Sequence, residues 1–212
     1  ALPILTLDAL TAIHWMHRLG ALVVFAVLGW FGSKLLKQGS LRPLGMSSGN
    51  LTVTGGSGAL RISSGTATLA STAQVGNLTV SGGTLTGTGN ITVNGSFNWS
   101  GGTISGASQL TTLGTSTLST TTDKILNART WNNNGTVNHT SGRLRAENSS
   151  TINNASGAIF NVSTSSGNAI TTFSGTGTFN NAGTLNWDTT VASTIDAGPF
   201  NNTGLVNVNA TN

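Results

Sequence analysis

Residues 131–138 read WNNNGTVN, residues 179–186 FNNAGTLN and residues 200–207 FNNTGLVN, with a looser copy, INNASGAIFN, from Ile152. Each copy sets an aromatic or aliphatic residue before two asparagines, then a variable residue, a glycine and an alternating apolar strand. Trp131 to Ile152 is 21 residues, Phe179 to Phe200 is again 21, and the step between them, Ile152 to Phe179, is 27. A period near twenty, with a strand and a turn in every unit, is the pattern of a stacked solenoid whose coils bury a shared core. The longer step predicts an insertion in one coil.

Working outward, NLTV at Asn50, NLTV at Asn77 and NITV at Asn90 place aliphatic side chains on one face of a strand and polar ones on the other. SGGTLTG from Ser81 and SGGTISG from Ser100 are near copies that turn the chain and start the next strand. Short strands with frequent turns would also suit a sandwich or barrel. Fixed coil length, the same residue types at the same place, and the scarcity of charge favour a single-stack parallel β-helix. Coils stacked about 4.8 Å apart bring identical side chains into columns. Asparagine suits such a column because its amide both donates and accepts, whereas like charges would repel. The predicted fold is therefore all-β: a single-stack parallel solenoid of about 20 residues per coil and about eight coils, over residues 51–212, preceded by one hydrophobic α-helix.

Composition agrees with that reading. Charged residues make up 7% of the 212, against about 25% in ordinary soluble proteins. Gly is abundant at 29, yet Val, Ile, Leu, Phe and Trp recur too regularly for a disordered tract. The net charge of +4 is unevenly placed: residues 1–46 hold four basic side chains against Asp8, and the remainder holds five basic against four acidic. The basic excess borders an apolar segment and makes no nucleic-acid footprint. With no Cys, a disulfide framework and a Cys-ligated zinc are excluded.

Residues 1–37 differ from the rest. Ala9 to Phe31 contains 23 residues with one formal charge, Arg18, which as a helix would span roughly 34 Å, enough for a bilayer core. Lys34, Lys37 and Arg42 follow, placing that end in the cytoplasm, and Trp15 and Trp30 sit where interfacial aromatics belong. A membrane helix over 9–37 is expected, with residues 38–50 (QGSLRPLGMSSGN) as a linker. A cleaved signal peptide fits less well, since the basic residues follow the apolar run. The chain opens at Ala1 and stops at Asn212 just beyond a strand, so it is expected to be a piece of a longer protein.

Two resemblances follow from these residues. AIHWMHRLGALVVF, from Ala12 to Phe25, resembles a transmembrane helix of the haem A synthase family, in which the His of an HR-x-x-A setting serves as an axial haem ligand. The resemblance implies His17 as the cofactor-binding residue; His14 shares its helix face. The match covers about 30 residues, and a bis-His site needs a second helix. Residues 50–212 resemble the β-helix passenger repeats of filamentous-haemagglutinin-like adhesins and autotransporters. That implies a bacterial surface or secreted protein with a structural or adhesive role.

Enzymatic chemistry has little to work with. β-Helix polysaccharide enzymes need clustered carboxylates, and the repeat region holds only Asp123, Glu147, Asp188 and Asp196. Asp188 and Asp196 flank a variable loop and read as turn caps. Arg143 and Arg145 alternate along a strand and read as a solvated edge, or as a contact for an acidic glycan. His139 reads as a surface residue, and Asp123-Lys124 as an exposed pair in a turn. Gly-rich GGTLTGTGN at Gly82 lacks the Lys-Ser/Thr ending of a phosphate loop. No catalytic residue and no metal site is assigned. The leading expectation is a structural or adhesive rod at the bacterial cell envelope, whose partners are host surfaces, glycans or sister molecules. The alternative makes the helix primary: a membrane-anchored fragment related to haem A synthase, joined in nature or by artefact to the repeats. A filament subunit of pilin type lacks the pilin N-terminal motif.

Overall fold

The computed structural model describes residues 49–51 and 58–209. The expected membrane helix, His14, His17 and most of the linker lie outside them. Among the described residues the chain forms 23 strands in three sheets, all paired in parallel. Each coil contributes one strand to each sheet, so strand neighbours are three apart in sequence order. Two sheets have eight strands and one has seven. The stack makes about seven turns of about 21 residues, one fewer than the sequence suggests. Longer turns in the later coils take up the difference.

The repeated phrase straddles one corner of the coil. Its first half is the strand Thr130–Asn133 (β13), its second the strand Thr136–His139 (β14), and Asn134-Gly135 makes the bend between. In β13, Trp131 and Asn133 point inward and are fully buried, while Asn132 points out. Strand alternation thus gives the two adjacent asparagines opposite fates. The inner one turns the corner. Asn133 Oδ1 accepts from the Gly135 amide at 3.2 Å, and its Nδ2 donates to the Gly135 and Ile159 carbonyls at 3.3 and 3.1 Å. The glycine is required by the coil beneath: a Cβ on Gly135 would lie 2.2 Å from the Gly114 carbonyl oxygen, and one on Gly204 2.1 Å from that of Gly183. In the looser copy two extra residues widen this corner between Asn154 and Ile159, and Gly157 adopts a φ of 82° there.

Register places the copies directly over one another. Trp131 pairs with Ile152, Ile152 with Phe179, and Phe179 with Phe200. The inward aromatics form a continuous column: Trp131 to Phe160 at 6.1 Å, Phe160 to Phe179 edge-on at 5.2 Å, Phe179 to Phe200 stacked at 5.6 Å. Full burial of each such ring contributes about 1.5–3 kcal/mol. Two asparagine ladders run along the same strands. The inner one passes from Asn133 to Asn154, Asn181 and Asn202, each Nδ2 donating to the next Oδ1 at 2.7–2.8 Å. The outer one runs the opposite way, from Asn201 through Asn180, Asn153 and Asn132 to Gln109. A third joins Asn207, Asn186, Asn161 and Asn138 on the sheet that holds β14. The opposed amide directions set adjacent columns of dipoles antiparallel.

The turn preceding the strands Gly102–Ser105, Lys124–Asn127, Leu144–Glu147, Ile170–Thr171 and Ile195–Asp196 is longest in the later coils. It is Ser100-Gly101 in the first of these, then residues 119–123, 140–143, 163–169 and 188–194. This corner absorbs much of the predicted insertion; the span 172–177 takes more. The solenoid is built out most at this corner, with smaller departures at 155–158 and 172–177 on the other two.

Candidate functional site

Six of the nine charged side chains beyond residue 46 fall between Asp123 and Glu147, and five of these gather around the growing corner and the sheet it feeds. Asp123 ends the turn 119–123, and Arg143 takes the equivalent place one coil later. Arg143 meets Asp123 in a two-point pair, Nε to Oδ1 at 2.9 Å and the terminal nitrogen to Oδ2 at 3.0 Å. Arg145, two residues on, lies 3.5 Å from Asp123 Oδ2 and donates from Nε to Glu147 Oε1 at 2.8 Å. Both guanidinium groups rest against the ring of Phe173, with carbon-to-centroid distances of 4.6 and 4.2 Å. Two cations and two carboxylates therefore form a balanced network under one exposed aromatic.

That network corrects the sequence reading of Arg143 and Arg145 as a solvated edge. Parallel stacking brings Asp123 within reach of both, and Glu147, two residues along the same strand, pairs with Arg145. It also corrects Asp123-Lys124 as an exposed local pair: Asp123 bonds across coils, and Lys124 is fully buried. Lys124 occupies an inward position, in register with Gly102 and Leu144, and its ammonium donates to the Thr120 and Ser141 carbonyls at 2.6 and 2.7 Å. Burial pulls its pKa down from 10.5 to about 8, against the opposing pull of Asp123. His139 is likewise buried, where a surface residue was expected. It takes the inward place held by Leu118 below and Val162 above. Its Nε2 bonds the Gly142 carbonyl at 2.8 Å, and Nδ1 has no partner among the described residues. Burial lowers its pKa to about 4; the Gly142 hydrogen bond opposes this and Lys124 reinforces it.

Outside the network lies an open cleft of about 460 Å³. Its walls are Thr121, Asp123, Arg143, Ser166, Gly167 and Asn168, drawn from the turns of three successive coils. Asp188 and Asp196 take no part. Asp188 accepts from Asn209 Nδ2 at 2.8 Å, an intercoil bond, and Asp196 is exposed on the strand Ile195–Asp196. Among the described residues no group of three or more His, Cys, Asp or Glu is placed to hold a metal ion, and no helix is long and apolar enough to cross a membrane.

A second feature escaped the sequence reading. Arg129 is buried at another corner, where its guanidinium donates to the carbonyls of Ser105 at 2.9 Å and Gly89 at 2.7 Å, and to the Ser108 hydroxyl. It ties three consecutive coils. Burial lowers its pKa to about 10, which leaves it charged at neutral pH. Phe173 was also passed over, although an aromatic in TTFSGTG, outside the repeated phrase, was the available signal.

The geometry defines a single-stack parallel β-solenoid with one charge-balanced, built-out corner. No protein-family model matches the chain, no curated protein matches it, and no solved structure matches it. Neither the adhesin-repeat resemblance nor the haem A synthase resemblance gains support from those comparisons, so the class rests on architecture.

Proposed function

We propose that the protein is a structural or adhesive solenoid of the bacterial cell surface, held to the membrane through residues 9–37 and acting by contact, with no chemical step. The observation that carries this reading is the locking of outward side chains into ladders between coils, as in Asn132-Asn153-Asn180-Asn201. Such a surface is repetitive and rigid, and it presents amides at the coil spacing. A partner can therefore be met along several coils at once, and weak contacts add up through multivalency. Asp123, Arg143, Arg145 and Glu147 are paired with one another, which suits display better than proton transfer.

The test is adhesion of the full chain, displayed on beads, to epithelial cells and to itself, with polysaccharide turnover followed in parallel. Attachment or self-association without release of reducing ends is the expected result. Hydrolysis or elimination of any polysaccharide would overturn the reading. A Soret band carried by the full chain and lost on His17→Ala would instead favour the haem-binding alternative.

A further inference from the structure

We propose that the cleft at the built-out corner binds an uncharged saccharide chain, with Phe173 as its stacking platform. The inference rests on the adhesive reading and supplies it with a ligand class. Three independent observations converge. The cleft lies where the turns are longest, between two residues at Ser100-Gly101 and seven at 163–169. Its volume of about 460 Å³ falls within the range of small-ligand sites, and its open outer side lets a longer chain run past.

The chemistry of the walls is hydroxyl-seeking. Thr121, Ser166 and Asn168 offer two hydroxyls and an amide. Asn168 accepts from Thr194 through Oδ1 at 3.1 Å, and its amide nitrogen is a further donor in the cleft lining. Asp123 and Arg143 supply a flat acceptor and a flat donor, locked together by two hydrogen bonds. Paired planar groups of this kind suit vicinal hydroxyls. Beside them Phe173 is 56% exposed, and its ring lies 4.6 Å from the guanidinium carbon of Arg143 in the cleft wall. The ring borders the cleft without lining it and packs on the Arg143 and Arg145 guanidinium groups; the part left exposed offers a surface for the C–H side of a sugar that extends past the cleft.

Charge decides against an acidic ligand. Arg143 and Arg145 already face Asp123 and Glu147. A uronate or sulfate would have to displace a two-point ion pair and meet the freed Asp123 carboxylate. A neutral sugar meets no such penalty.

The experiment uses the full chain in detergent over immobilised cello-, manno- and galacto-oligosaccharides, with oligogalacturonate as the acidic probe, at low and high salt. Wild type should retain at least one neutral series, with affinity insensitive to salt. Phe173→Ala and Asn168→Ala each alter an exposed side chain and should weaken retention roughly tenfold or more, the usual effect of truncating a binding anchor, with unchanged strand circular dichroism. Three results would overturn the proposal: no neutral series retained by folded wild type, equal retention by both variants, or a salt-sensitive preference for oligogalacturonate. Cell adhesion of the same proteins separates the two readings. Undiminished adhesion by both variants, without saccharide retention, sinks the cleft and spares the adhesive role. Saccharide retention without adhesion to any surface does the reverse.

Discussion

At the scale of single residues, the repeated asparagines have unequal weight. Asn154 lies in the middle of the inner ladder, 1% exposed, donating to Asn181 and accepting from Asn133. Asn154→Leu would leave the buried Asn181 Oδ1 without its donor and remove one of the three acceptors of Asn133 Nδ2, so a loss of about 2–3 kcal/mol is expected in urea unfolding. Asn153→Ala breaks the outer ladder beside it, where water can replace the lost bonds, and should lose only about 0.5–1 kcal/mol. Equal effects would show that the inner column is hydrated. The outer and inner roles follow from strand alternation, so both were legible in the letters NN. Which amide bends the corner was not, because that depends on the carbonyl of the coil above.

At the scale of elements, the built-out corner should respond to acid. The folded state holds His139 near 4, below its ordinary 6.5, so the unfolded chain binds a proton that the fold refuses. The contribution is fully present above pH 6.5 and is lost as pH falls towards 4, by roughly 3 kcal/mol over that window. Lys124 has the same sign in a different window: its part is present above 10.5 and lost by about 8. His139→Leu places an aliphatic side chain where Leu118 and Val162 stand in the adjacent coils. Melting curves of that variant should lose the slope between pH 6.5 and 4 that wild type shows; a retained slope would assign it to the carboxylates. The strands were readable from alternation, as NLTV at Asn77 and its strand Asn77–Val80 illustrate. The corner was not. Lys124 and His139 look like surface residues in sequence because a buried ammonium is stabilised by the Thr120 and Ser141 carbonyls, which no local pattern announces. The Arg143–Asp123 pair spans 20 residues and appears only once the coil length there is known.

At the scale of the whole solenoid, each coil contacts chiefly its neighbours, so stability is close to a sum of coil and interface contributions. Trp131 is fully buried and touches the rings of Phe97, Trp99 and Phe160. Trp131→Ala should lose about 3–5 kcal/mol and uncouple the coils on either side, seen as a second thermal transition. Phe200, 38% exposed and stacked on Phe179 alone, should lose far less as Ala. A single sharp transition for Trp131→Ala would mean that coupling extends well beyond adjacent coils. The central claim is that the coils stack in register with the long step absorbed at the corners, and the absence of Cys permits a direct test. Asn153 pairs with Asn180, 27 residues away, rather than with Ser174 at the common spacing of 21. Oxidation of the double variant Asn153→Cys/Asn180→Cys should give rapid, near-complete intramolecular cross-linking, while Asn153→Cys/Ser174→Cys should stay reduced. The reverse preference, or no cross-link in either protein, would contradict the stacked solenoid described here.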